Sequence, residues 1–131
     1  MSNEITLQIQ LSCRNGEFYQ PPLGTPQQID QANAGGGYPG FVVVGLSQVE
    51  VDLSTFTKPG YAYIKLIGEY GTGTGSPVVT YGPKSGGNLV PFGECKEGEE
   101  GCFRLTGQYT PTLMLKSTEP DSRVQLVILE D

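Results

Sequence analysis

The run Ile5-Thr6-Leu7-Gln8-Ile9-Gln10-Leu11-Ser12-Cys13 places an apolar side chain at every second position. A period of two is the mark of a β-strand with one face against a core. Further runs share that character. Phe41 to Leu46 is apolar apart from Gly45, and Val49, Val51 and Leu53 alternate before the Lys58-Pro59-Gly60 turn. Gly60 to Tyr70 sets Ala62, Ile64 and Leu66 against Tyr61, Tyr63 and Lys65. Strands are also predicted over Val78 to Tyr81, Leu89 to Phe92, Cys102 to Leu105, Thr112 to Lys116 and Val124 to Leu129. Turn residues bound each of them, and no segment sustains an apolar repeat at helical spacing. Short strands at regular intervals predict an all-β fold: one antiparallel β-sandwich or jelly-roll-like barrel. Its expected core is Ile5, Leu7, Ile9, Leu11, Val51, Leu53, Ile64, Leu66, Phe103, Leu105, Leu126 and Ile128.

Between Asn15 and Gly40 the alternation fails. Pro21-Pro22, Gly24, Pro26, Gly35-Gly36-Gly37 and Pro39 interrupt every run, leaving room for a short strand only at Gln27 to Gln31. The expectation is a Gly/Pro/Gln-rich extended arm or loop over residues 15–40. Pro21-Pro22 stiffens it, and Phe18, Tyr19, Leu23, Ile29 and Tyr38 offer spaced apolar anchors for a partner's grooves. An inert linker is the plainer alternative. The tract Gly71-Thr72-Gly73-Thr74-Gly75-Ser76-Pro77 reads as an exposed loop tip.

With 131 residues, one domain spanning 1–131 is expected. The 19 glycines and 10 prolines, beside 37% hydrophobic residues, suit a thin core between many turns; grouping of the apolar residues argues against general disorder. A formal charge of −6, with eight Lys and Arg scattered from Arg14 to Arg123, opposes a nucleic-acid partner. No run of apolar residues is long enough to span a bilayer, and Met-Ser-Asn-Glu has no secretory character, so folding in a cytoplasm is expected without a membrane partner.

Histidine is absent, which removes Ser-His-Asp and Cys-His chemistry and the usual Cys/His zinc sites. Cys13, Cys95 and Cys102 form no CxxC pair; a disulfide across the Lys96 to Gly101 turn competes with three inert thiols, the reading favoured here. The glycines sit in no phosphate-cradling motif. Glu94, Glu97, Glu99 and Glu100 lie close enough to suggest an acid pair for glycoside hydrolysis or a calcium site. Carboxylates on a short solvated turn keep ordinary acidity, so a plain acidic turn is preferred. No catalytic residue, cofactor or metal is assigned, and a non-enzymatic protein is expected. Tyr61 and Tyr63 share a strand face that would suit sugar stacking, although cross-strand packing explains such tyrosines as well and tryptophan is absent.

Val51-Asp52-Leu53, Pro59-Gly60-Tyr61-Ala62-Tyr63 and Gly86-Gly87-Asn88-Leu89-Val90-Pro91-Phe92 occur in that order. Lys96-Glu97-Gly98-Glu99, Phe103-Arg104-Leu105 and the ending from Val124 to Asp131 follow, with Asn3-Glu4-Ile5 at the start. In these pieces the chain resembles a family of small tailed-bacteriophage virion proteins, over about two-thirds of its length. The turns at Ile67 to Tyr70 and Lys96 to Glu99 differ in detail from that family. The resemblance implies a capsid cement or decoration protein on the phage major capsid protein, made in the host cytoplasm and residing on the capsid surface of the virion. A tail or tail-fibre protein is the alternative, and a carbohydrate-binding β-sandwich module the second. A homotrimer is expected, because particle-surface proteins often occupy local threefold positions.

Overall fold

A computed structural model of the chain describes residues 5–29, 36–37, 41–69, 75–106 and 109–130. The protein is all-β, with antiparallel sheets throughout the described residues. It divides into two compact units, Met1–Ala34 and Gly35–Asp131.

The first unit contains β1 (Ile5–Leu7), β2 (Leu11–Asn15), β3 (Phe18–Leu23) and β4 (Gln27–Ile29). β1 pairs with β4, and β2 with β3, so this unit is a pair of two-stranded ribbons. Asn15 and Phe18 close the β2–β3 hairpin around Gly16-Glu17, where Gly16 has a φ of 59°. A positive φ at the first of two loop residues is the demand of a type II′ turn, and glycine meets it without strain. The register slips between the Leu11↔Leu23 and Cys13↔Gln20 pairs, so the extra residue falls at Pro21-Pro22. A bulge tolerates prolines, which have no N–H for the ladder.

The second unit runs through β5 (Gly36–Gly37), β6 (Phe41–Val44), β7 (Val49–Glu50), β8 (Pro59–Glu69), β9 (Val78–Gly82) and β10 (Lys84–Ser85). It continues with β11 (Asn88–Leu89), β12 (Gly93–Lys96), β13 (Glu100–Arg104), β14 (Met114–Ser117) and β15 (Ser122–Glu130). One sheet has the order β12-β9-β14-β7; the other has β13-β8-β15, with β5 and β6 along the far side of β15. β10 and β11 form a small hairpin on Gly86-Gly87, both at positive φ. Along β15 burial alternates strictly: Val124, Leu126 and Ile128 are buried, opposite Leu66, Ile64 and Ala62 of β8. Val79, Tyr81, Cys95 and Leu115 of the other sheet join the same core, and Phe103 stacks on Tyr81 at 5.6 Å. Two antiparallel sheets sharing one apolar layer correspond to a β-sandwich.

Several expectations need correction. Ile5 to Cys13 is two strands rather than one, and its apolar residues are not core: Ile5 and Leu7 are half-buried, while Ile9 and Leu11 are exposed. A two-stranded ribbon has no second layer against which to bury a face. The stretch read as irregular holds β3, because Gly16 turns the chain straight back along β2, while β4 falls on the short strand expected from Gln27. Leu89 to Phe92 is mostly outside strands, and β12 begins where the acidic turn was expected. The cysteines need no correction: Cys95 and Cys102 are free thiols, the reading preferred over a disulfide between them. Cys95 lies on β12 and points into the core, whereas Cys102 lies on β13 of the opposite sheet, because the chain changes sheets at Glu97-Gly98. Tyr38 and residues 71–74 of the Gly-Thr tract lie outside the described residues.

Candidate docking surface

In the first unit every residue of β2 is exposed, although its sequence carries Leu11 and Cys13 at alternate positions. Leu11 is 64% exposed and faces Leu23, 55% exposed, across the ribbon. Ile9 is 55% exposed just before β2, and Tyr19 on β3 is 54% exposed. Tyr19 lies opposite Arg14, whose guanidinium carbon sits 4.7 Å from the ring centroid, a cation–π contact that fixes the ring while leaving it accessible. Single exposed apolar residues are ordinary. Four in one small ribbon unit are unusual, and the ladder divides them: Leu11 and Leu23 share one face of the β2–β3 ribbon, while Tyr19, paired with Arg14, lies on the other.

Of the predicted anchors, Tyr19 and Leu23 are thus exposed on this ribbon, on opposite faces. Phe18 opens β3 as the register partner of Asn15, and Ile29 ends β4 opposite Ile5. Sequence reasoning assigned Ile9 and Leu11 to the core and so missed their membership of the exposed set. The signal that finds them is the Asn15-Gly16 turn, which gives β2 a neighbouring strand instead of a covering layer.

The tyrosine pair on the sandwich's outer face is engaged otherwise. Tyr61 carries the Arg104 guanidinium 5.0 Å above its ring, and Tyr63 donates its hydroxyl to Glu100 Oε2 at 2.5 Å. Both rings are half-buried cross-strand packing residues. The acidic turn is equally occupied with its own structure: Glu99 Oε1 accepts the Lys96 N–H at 2.7 Å, and the Glu97 side chain lies against Gly68. Among the described residues no three His, Cys, Asp or Glu side chains gather into a metal-binding group. No family model, curated protein or solved structure matches the chain.

Proposed function

We propose that this protein is a non-enzymatic structural component of a tailed-bacteriophage particle, a cement or decoration protein attached to the outer surface of the major capsid protein lattice. The observation that carries docking is the exposure of Ile9, Leu11, Tyr19 and Leu23 on a unit whose described residues add nothing to the buried apolar cluster. Covering each such side chain yields on the order of 1 kcal/mol, so a partner surface that buries the Leu11–Leu23 pair on one face of the ribbon gains affinity without any catalytic machinery. The bacteriophage assignment rests on the ordered pieces from Val51 to Asp131 that resemble virion proteins. In this reading the first unit, with its β2–β3 ribbon, serves as the attachment element, and the β-sandwich is the body, of the jelly-roll-like kind.

The test uses purified particles and bare capsids. The protein should be present in many copies on heads, remain there when tails are removed, and raise capsid resistance to heat or salt. Leu11→Asp with Leu23→Asp should fold normally and fail to attach. A few copies that leave with the tails would favour a tail role instead, and absence from every particle would refute the virion reading.

A further inference from the structure

The β7–β8 connection and the segment leading into β14 enclose an open groove of about 840 Å³ in the second unit. Hydrogen bonds fix both walls. The two oxygens of the buried Glu130 carboxylate accept the N–H groups of Thr57 and Lys58, each at 2.8 Å. Asp52 Oδ1 accepts the Ser54 N–H at 2.9 Å and the Ser54 hydroxyl at 2.6 Å. At the base the Val51 N–H donates to the Leu113 carbonyl at 2.9 Å, and on the opposite wall Thr112 Oγ1 accepts the Lys84 N–H at 2.9 Å. A groove braced in this way loses little freedom when a ligand enters.

The lining narrows the ligand class. Ser54, Thr57, Thr106 and Thr110 contribute hydroxyls, and Tyr109 stands at the groove 75% exposed. Asp52 Oδ2 has no hydrogen-bond donor among the described residues, and the Ser54 bonds hold this carboxyl below its usual range, so it is an ionised acceptor. Glu50, also on the wall, is tied to Lys84 at 2.9 Å. Lys58 shares the lining with Asp52, and Glu50 is paired with Lys84, so no excess of either charge selects an ionic ligand, and a wholly apolar ligand would leave Asp52 Oδ2 without a donor. A chain of sugars has what remains: hydroxyls for the carboxylate and threonines, and apolar C–H faces for an aromatic ring.

We propose that this groove binds a neutral oligosaccharide, with Tyr109 stacked on a sugar ring and Asp52 accepting sugar hydroxyls. The site is separate from the exposed ribbon surface and stands whether or not the particle assignment holds. The full chain is screened on an array of neutral and acidic glycans and titrated with cellohexaose, maltohexaose and chitohexaose while its amide resonances are followed. Oligolysine, a cation that Asp52 would also attract, is the contrasting probe. At least one neutral glycan should shift the amides of Ser54, Thr57 and Thr110. Tyr109→Ala should weaken that binding about fivefold, the effect of one lost ring contact, and Asp52→Asn should weaken it comparably. The proposal is overturned if no neutral glycan shifts the groove, if both variants bind as the parent does, or if only oligolysine or acidic glycans bind.

Discussion

Tyr63 shows how one side-chain contact sets a titration. Its hydrogen bond to Glu100, ahead of burial and of the carboxylate's charge, pushes the phenol up from its ordinary value of 10.0 to about 12. A raised acid holds its proton more tightly in the folded state. Its stabilisation is therefore complete below pH 10 and fades as the pH climbs toward 12. Followed through its own ring resonances, Tyr63 should ionise late in the parent and earlier, nearer the free phenol's value, in Glu100→Ala, which removes the acceptor. An unchanged midpoint in that variant would show that the hydrogen bond is not the cause. The cysteines divide on similar grounds. Burial pushes the Cys95 and Cys102 thiols up, with Glu99's charge adding to the effect at Cys95, while Cys13 is exposed. Since the thiolate is the nucleophile, iodoacetamide should label native protein first at Cys13 and reach Cys95 only on unfolding, as peptide mass mapping would reveal.

Strand β15 and the Ile5–Cys13 run carry the same alternation, yet only β15 lies over a core. Leu126→Ala should accordingly cost about 2–5 kcal/mol in denaturant unfolding. Leu11→Ala should cost less than about 0.5 kcal/mol. Comparable losses at the two positions would mean that Leu11 is buried after all. Strand identity was legible in the sequence because alternation is a local property: β8, β9 and β15 fall close to where Gly60 to Tyr70, Val78 to Tyr81 and Val124 to Leu129 were read. Which alternating strand receives a covering layer depends on contacts distant in sequence, and nothing within Ile5 to Cys13 encodes it. The sheet change between Cys95 and Cys102 was hidden for the same reason, since Gly98 turns a hairpin whether or not its arms share a sheet. Tyr19 and Leu23 were legible as exposed residues because prolines and glycines surround them without an apolar pattern. The groove was not, because Asp52 and Tyr109 meet only once β7 has paired with β14.

The two units differ in what they bury. Every residue of the buried apolar cluster, from Val44 to Ile128, belongs to Gly35–Asp131. Among its described residues the first unit adds none, and its exposed apolar side chains are the contact proposed above for a partner. Deleting residues 1–34 should therefore leave the β-sandwich folded, with a Tm changed by only a few degrees, because burial supplies most of a domain's stability. The shortened protein should lose binding to bare capsids. Any trimer held together by the first unit should sediment as monomer, while one held by the sandwich should persist. Folding and capsid binding are measured on the same preparation, so their outcomes separate cleanly. A shortened chain that no longer folds would show that the first unit completes the sandwich rather than serving a partner. A chain that folds and binds capsids undiminished would leave Ile9, Leu11, Tyr19 and Leu23 without the attachment role proposed for them, and the docking surface would have to lie on the sandwich itself.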